Sequence, residues 1–166
     1  NIKFNDIILA VPSSGIHSKG FSLIRRILKK NSYLPAHIKK ELIKPTKIYV
    51  KEINKINSKK LINGCANITG GGLLDNLMRV IPDALSISIN LSKIKVKPIF
   101  KWLKNNNIKD SEMLKTFNCG VGFCLIADRK NINNIKKIFT KEYQPYEIGF
   151  LSKGKSKVKT FGKLQW

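Results

Sequence analysis

A strand, three consecutive glycines and a helix start follow one another in residues 64–79, which read GCANITGGGLLDNLMR. An apolar run ends just before the glycines, and apolar residues recur at helical spacing after them. Glycine permits positive φ angles and leaves the backbone N–H groups open to a ligand. Because the following helix adds the positive end of its dipole, we predict a phosphate-binding turn at Thr69, Gly70, Gly71 and Gly72. A sharp turn without a ligand is the alternative interpretation.

An earlier stretch of the chain has the same strand, loop and helix order. Residues 7–11 form an apolar run typical of a buried strand, and apolar residues at helical spacing occupy 21–28. The loop between them concentrates hydroxyl groups, one imidazole and one cation, which can donate hydrogen bonds to phosphate or sugar oxygens. The predicted binding residues of this loop are Ser13, Ser14, Gly15, Ser18 and Lys19.

His17 is the single titratable imidazole of that loop. Because histidine can exchange a proton near neutral pH, His17 is the candidate catalytic acid or base. The alternative is a helix cap formed by Ser18, with His17 on the surface.

Two asparagines complete the predicted site. Asn76 follows the glycine turn by one helical turn and could orient a ligand there, although a solvent-exposed amide is the alternative. Asn118 precedes an apolar run at 119–127, which predicts a buried strand with Asn118 at its mouth. Gly120 and Gly122 within that run would let another backbone or a ligand approach closely.

The remaining patterns predict a single domain over residues 1–166 with an α+β fold, an α/β sandwich in which helices pack on a mixed β-sheet. Alternation of apolar and polar residues at 84–90 indicates a half-exposed strand. Further strands are predicted at 146–151 and 158–161. Further helices are predicted at 36–43, at 132–140 and from Pro98 onwards. One more helix is predicted to start after Pro45, with Thr46 as a possible cap. Another is predicted to run to Phe117, with Asp110 or Ser111 as its cap.

Composition limits the classes of function. The formal charge of +22 suggests a polyanion partner, but 28 of the 32 basic residues are lysines scattered through every segment, so a nucleic-acid partner is not expected. A non-enzymatic polyanion-binding module remains the rival interpretation from another class. Three cysteines without CxxC spacing and two distant histidines predict reduced, mostly buried thiols and no metal site. Since no apolar run is long enough to cross a membrane, we expect a cytoplasmic protein without a membrane partner.

Five stretches together resemble one family, the C-terminal domain of aminoimidazole ribonucleotide synthetase, also called phosphoribosylformylglycinamidine cyclo-ligase. They are SSGIHSKGFSLIRRIL, KPTKIYV, ANITGGGLLDNLMRVIP, PIFKWL and SEMLKTFNCGVGF, and the resemblance covers essentially the whole chain. It implies an ATP-dependent ring closure in purine synthesis, with a phosphorylated ribonucleotide and ATP as partners. Selenophosphate synthetase, thiamine monophosphate kinase and the hydrogenase maturation dehydratase share the architecture and remain alternatives within the superfamily.

The resemblance also implies what this chain lacks. Members of the family carry an N-terminal domain that supplies much of the nucleotide site, the magnesium-binding acids and much of the homodimer contact. We therefore expect Mg²⁺ to be held by that domain, and this chain alone to be inactive. Two positions depart from the family pattern, which usually has asparagine at Lys19 and histidine at Asn67.

Overall fold

Six strands form one mixed sheet in a computed structural model that describes residues 2–31, 33–155 and 158–166. Their order across the sheet is β2-β4-β1-β5-β3-β6, and every described pair is antiparallel except β3 with β6. The strands are β1 (Ile7–Pro12), β2 (Gly64–Asn67), β3 (Leu85–Asn90), β4 (Val121–Ala127), β5 (Tyr146–Lys153) and β6 (Val158–Phe161).

Seven α-helices are found in the described ranges. They are α1 (Phe21–Lys30), α2 (Ala36–Leu42), α3 (Val50–Ser58), α4 (Gly72–Met78), α5 (Pro98–Lys104), α6 (Asp110–Thr116) and α7 (Ile132–Lys136). The predicted α+β fold, with helices packed on a mixed sheet, is confirmed.

Both faces of the central strand are buried, which explains its unbroken apolar sequence. Ile8 and Ala10 of β1 belong to the larger apolar cluster, which also contains residues of α1, α2, α4, α5 and α6. Ile7 and Leu9 alternate with them and belong to a second cluster with residues of α3 and α7. The helices therefore cover the sheet from two sides.

The predicted helix start after Pro45 is wrong, because α3 begins at Val50 and the preceding residues 45–49 are not helical. The Ser14 hydroxyl donates to the Pro45 carbonyl oxygen at 2.7 Å and accepts from the Lys47 N–H at 3.0 Å. These contacts hold residues 45–47 against the first loop, and the N-cap of α3 is Tyr49, so Thr46 is not a cap.

Other boundaries differ for local reasons. The N-cap residue of α6 is Lys109, whose side chain makes no capping hydrogen bond, so neither Asp110 nor Ser111 is the cap. The Asp110 carboxylate instead pairs with the Lys104 ammonium at 2.8 Å. Helix α7 ends at Lys136, four residues before its predicted last residue. Strand β3 is more buried than predicted, since Ser86 is 4% exposed between β5 and β6.

Candidate functional site

The two loops singled out from the sequence meet in the folded chain. A small cavity of about 80 Å³ lies between them, and the lining residues come from both loops, from Thr46, from the end of β2 and from the segment before β4. They are Ile16, His17, Ser18, Lys19, Thr46, Asn67, Ile68, Thr69 and Asn118. Thr46 and Asn67 were not among the predicted binding residues. Thr46 lies in the KPTKIYV stretch that resembles the family, and the family usually has histidine at the position of Asn67, so both residues could have been included.

Ser13 and Ser14 are buried and hold their own loop in place. The Ser13 hydroxyl donates to the Asn118 side-chain oxygen at 3.0 Å, and the Ser13 N–H donates to the Gly120 carbonyl oxygen at 2.9 Å. The Ser14 hydroxyl is occupied by the 45–47 segment. Ser13 is 0% exposed and Ser14 is 5% exposed. Their geometry fits a positioning role for the loop backbone, which includes the buried Gly15.

Asn118 joins the first loop to the start of β4. Its side-chain NH₂ group donates to the carbonyl oxygens of Gly15 at 2.9 Å and Ile16 at 3.1 Å. Its side-chain oxygen accepts from the Ser13 hydroxyl and from the Gly120 N–H at 2.9 Å. Since an amide offers two donors and two acceptor lone pairs, Asn118 has no capacity left for a ligand in this arrangement.

His17 lies at the cavity, and only one of its two ring nitrogens carries a proton. The Ser14 N–H donates to His17 Nε2 at 3.2 Å, so Nε2 carries a lone pair and the proton of the neutral ring is on Nδ1. Burial, followed by the positive charge of Lys97, lowers the His17 pKa to about 4. The imidazole is therefore neutral near pH 7. Its backbone has a φ of 63°, in the left-handed region.

The alternative in which Ser18 caps the first helix is wrong. The N-cap of α1 is Gly20, which has a φ of 85° and no side-chain cap. Ser18 and Lys19 are exposed at the cavity instead. The Lys19 side chain reaches the glycine turn, with Cδ and Cε each 3.9 Å from where a Cβ on Gly70 would lie. In the described part of the chain, Lys19 forms no ion pair.

The Asn76 side chain holds the glycine turn through hydrogen bonds. The Asn76 NH₂ group donates to the carbonyl oxygens of Gly72 at 2.7 Å and Gly70 at 3.2 Å, and its oxygen accepts from the Thr69 hydroxyl at 3.3 Å. Asn76 is 6% exposed, so the solvent-exposed alternative is wrong. Among the described residues, the N–H groups of Gly70 and Gly71 have no backbone acceptor.

Gly72 is required for packing as well as for the turn. Its φ is 67°, and a Cβ there would collide with the Leu114 carbonyl oxygen of α6. The interpretation of the glycines as a sharp turn thus holds for Gly72. Gly70 has open space beside it apart from the Lys19 stem.

At Gly120 another backbone approaches closely, as predicted, because a Cβ there would collide with the Lys95 carbonyl oxygen; at Gly122 of β4 the approaching groups are side chains. A Cβ at Gly122 would collide with the Tyr49 hydroxyl and the His17 ring. The Tyr49 hydroxyl donates to the Pro12 carbonyl oxygen at 2.8 Å, and burial raises the Tyr49 pKa above its usual range. Tyr49 therefore stays a neutral donor that fixes the end of β1.

Metal-ligating side chains do not gather at this site. Residues 2–31, 33–155 and 158–166 contain no group of three or more histidine, cysteine or acidic residues that could hold a metal ion. All three cysteines are free, with Cys119 and Cys124 buried and Cys65 partly buried; burial raises the pKa of each thiol. Of the helices described, none has the length and apolar character needed to cross a membrane.

The cavity is small compared with ordinary ligand pockets. Ligand pockets usually enclose roughly 300–1,000 Å³, whereas this cavity has about 80 Å³. The side chains of His17, Ser18, Lys19 and Thr69 are among those that line it, whereas Gly70 and Gly71 follow Thr69 in the chain and are not lining residues.

Similar proteins share both the sequence and the fold. Residues 4–160 match the family described as AIR synthase related protein, C-terminal domain. The phosphoribosylformylglycinamidine cyclo-ligase of Lactobacillus helveticus is 40% identical over 163 residues, which cover 91% of this chain and 47% of that protein. The trifunctional purine biosynthetic protein adenosine-3 of Chironomus tentans is 40% identical over 147 residues, which cover 82% of this chain and 11% of that protein.

Solved structures show the same fold at low identity. Thiamine monophosphate kinase of Aquifex aeolicus has a TM-score of 0.61 at 16% identity, covering 98% of this chain and 52% of that one. PurL of Thermotoga maritima, solved with ADP, has a TM-score of 0.61 at 9% identity, covering 98% of this chain and 24% of that one.

The family match and the identity of its relatives agree on the assignment. The chain spans about half the length of the cyclo-ligases that it matches. It belongs to the family of AIR synthase related proteins, whose C-terminal domain it represents.

Proposed function

We propose that this chain is the C-terminal half of an ATP-dependent cyclo-ligase, which converts formylglycinamidine ribonucleotide to aminoimidazole ribonucleotide and releases ADP and phosphate. The observation that supports this most directly is that residues 16–19 of the first loop and Thr69, which begins the glycine turn, line one small cavity. Both partners of the reaction carry phosphate groups. A site of this size recognises such a group and leaves the reacting atoms outside.

The proposed reaction has two steps. The γ-phosphoryl group of ATP is transferred to the formyl oxygen of the substrate, which turns that oxygen into part of a leaving group. The amidine nitrogen then attacks the same carbon, the carbon–oxygen bond breaks, phosphate departs and a proton is lost as the imidazole closes. Holding the substrate by its phosphate contributes to orienting these groups.

Four residues have distinct proposed roles in binding. The Lys19 ammonium supplies a charge where the family usually has an amide, and the Ser18 hydroxyl donates a hydrogen bond. The N–H groups of Gly70 and Gly71 act as an amide cradle. Asn76, Asn118, Ser13 and Ser14 act as positioning residues for these donors, because their own hydrogen bonds are made within the protein.

His17 is proposed as a neutral hydrogen-bond donor. With Nε2 accepting from the Ser14 N–H and a pKa lowered to about 4, it offers Nδ1–H rather than an open basic nitrogen at neutral pH. An acid or base role would require that Nε2 leave the Ser14 N–H. Donation from a neutral ring lets His17 bind a phosphate or sugar oxygen without changing its protonation.

We further propose that the remaining parts of the enzyme lie in the half that this chain does not span. The described residues offer no acidic cluster for Mg²⁺, so no step is assigned to a metal here. The magnesium ligands, much of the ATP site and the homodimer contact would come from that half. A cytoplasmic location follows from the proposed role in purine synthesis.

Two measurements on the purified 166-residue chain test the proposal. We expect it to bind a 5′-phosphorylated ribonucleotide weakly and to produce no ADP or aminoimidazole ribonucleotide from the substrates. Lys19→Gln should weaken binding about fivefold, since one exposed charge contact contributes about 1 kcal/mol. Lys159→Gln, on β6 at the opposite sheet edge from the site strand β2, is the control and should bind normally. Equal losses in both variants, or turnover by this chain alone, would contradict the proposal.

A further inference from the structure

A groove separate from the candidate site lies between helix α1 and the segment that leads from α5 into α6. Residues from 23–31 and from 106–112 line it, and we call it the α1–α6 groove. Its volume is about 540 Å³, within the roughly 300–1,000 Å³ of ordinary ligand pockets. It shares no lining residue with the 80 Å³ cavity, so a ligand here would occupy a second site.

Three cations and one carboxylate line the α1–α6 groove. Arg26, Lys30 and Lys109 are exposed, and in the part of the chain that the structure describes none of them forms an ion pair. The carboxylate belongs to Glu112, which accepts a hydrogen bond from the Thr116 hydroxyl at 2.7 Å. The lining therefore has an excess of two positive charges, which matches the charge of about −1.5 to −2 that a phosphate monoester carries at pH 7.

Arg26 distinguishes this groove from the lysine-rich surface elsewhere. Only four of the 32 basic residues are arginines, so an arginine in a groove is not explained by the general excess of lysine. A guanidinium presents a planar pair of N–H donors that matches two phosphate oxygens, whereas an ammonium acts as a point charge. A groove of about 460 Å³ with Lys55, Lys59 and Lys137 in its lining and no arginine among its described residues provides an internal comparison.

Apolar side chains in the groove offer a surface for the rest of a ligand. Leu23 is partly exposed, and Ile27 and Ile108 are each 7% exposed, so this apolar part lies deeper than the exposed cations. The Asn107 amide and the Ser111 hydroxyl add polar groups near it. Since ligand pockets combine apolar walls with a few polar groups, an apolar ring that carries a phosphate fits this lining better than a bare phosphate ion does.

Hydrogen bonds hold the segment between α5 and α6 against the end of α1. The Asn31 side-chain NH₂ group donates to the Ile27 carbonyl oxygen at 2.8 Å and to the Asn106 side-chain oxygen at 3.0 Å. Farther along the segment, the Lys104 ammonium donates to the Ile108 carbonyl oxygen at 2.7 Å. The groove is therefore preformed, and a ligand would not have to order its walls.

We infer that the α1–α6 groove is a binding site for a small organic phosphate, in which a phosphate monoester is attached to an apolar ring. Arg26, Lys30 and Lys109 bind the phosphate group. Ile27 and Ile108 contact the ring. The inference goes beyond the proposed function and does not depend on it, because the candidate cavity and the groove have no residue in common.

Titration of the purified 166-residue chain with phenyl phosphate, followed by backbone amide chemical shifts, tests the inference. We expect residues 26–31 and 106–112 to shift along one binding curve. Inorganic phosphate should bind there about fivefold more weakly, because it lacks the apolar ring. Phenol, which lacks the charge, should leave these residues unmoved.

Two neighbouring arginines provide a matched pair of variants. Arg26→Gln should weaken phenyl phosphate binding to the groove about fivefold, and Arg26→Lys, which keeps the charge and loses the planar fork, should give an intermediate loss. Arg25→Gln removes the same charge from the same helix, but Arg25 is exposed and does not line the groove, so binding should be unchanged. Unchanged chemical shifts outside the groove would show that each variant remains folded.

Equal losses in the Arg25 and Arg26 variants would overturn the inference, since they would reduce it to general attraction by a basic chain. So would equally strong shifts at Lys55, Lys59 and Lys137, or tighter binding of tetraglutamate, which would make the groove a site for acidic peptides. Lys19→Gln separates this inference from the proposed function. If it leaves the groove curve unchanged while the candidate cavity binds no ribonucleotide in either form of the chain, the proposed function fails and the groove site stands.

Discussion

Asn118→Ala is the substitution whose cost follows most directly from the geometry of the site. Asn118 is 5% exposed and makes four hydrogen bonds of 2.9–3.1 Å that connect the first loop to the start of β4. Truncation removes all four and leaves the Gly15 and Ile16 carbonyl oxygens, the Ser13 hydroxyl and the Gly120 N–H without these partners.

The expected loss is about 4 kcal/mol of unfolding free energy. Each intramolecular hydrogen bond contributes roughly 1 kcal/mol net, and a buried group left unpaired costs about 1–3 kcal/mol. Water entering the space of the lost side chain would recover part of the larger penalty. Four bonds at about 1 kcal/mol each therefore give the central value.

Urea denaturation followed by circular dichroism measures this loss directly. The control is Asn105→Ala, an exposed asparagine whose replacement should change the free energy of unfolding by less than about 0.5 kcal/mol. A loss below about 1 kcal/mol for Asn118→Ala, with the slope of the transition unchanged, would refute the claim that these four hydrogen bonds stabilise the fold.

Three further predictions concern other residues of the site and the thiols. As pH falls from about 6.5 to 4, the unfolded chain takes up a proton on His17 before the folded chain does, so the free energy of unfolding should fall over this range. His17→Asn, which tolerates a positive φ, should lack this part of the pH dependence in denaturation experiments. Gly72→Ala should lower the free energy of unfolding by about 3 kcal/mol or more, because of the positive φ and the collision with the Leu114 carbonyl oxygen. Gly70→Ala should lower it by less than about 1 kcal/mol, and equal losses in denaturation would contradict the turn geometry. A thiol reagent should modify Cys65 slowly in the native chain and all three thiols quickly in denaturant, and rapid native modification of all three would contradict their burial.

The fold followed from the sequence wherever periodicity alone decides structure. The apolar run at 7–11 and the helical spacing at 21–28 predicted β1 and α1 almost to the residue. Pro98 sits at the first position of α5, where its fixed φ and missing N–H suit a helix start.

Contacts between distant residues limited the prediction elsewhere. The Ser14 hydroxyl, more than 30 positions earlier, holds the non-helical residues Pro45 and Lys47 beside the first loop, and no local pattern carries that information. The same holds for Asn118, whose partners Gly15 and Ile16 lie more than 100 positions away. The sequence placed Asn118 near the site, but it could not show that the side chain is fully used within the protein.

For the same reason, the sequence could not distinguish residues that can contact a ligand from residues that hold the loop in place. Residue type alone grouped Ser13, Ser14, Ser18 and Lys19 as equal donors. Burial divides them, because the first two are enclosed and bonded internally while Ser18 and Lys19 are exposed at the cavity. Only the folded arrangement distinguishes a hydroxyl that holds a loop from one that can reach a ligand.

The central claim is that two separate stretches of main chain bind one anion, and a titration of backbone amide chemical shifts with a 5′-phosphorylated ribonucleotide tests it most directly. The account predicts that Ser18, Lys19, Gly70 and Gly71 shift together along a single binding curve, and that adding unphosphorylated ribonucleoside leaves them unmoved. Shifts confined to one of the two loops, or spread over lysines across the surface, would contradict it.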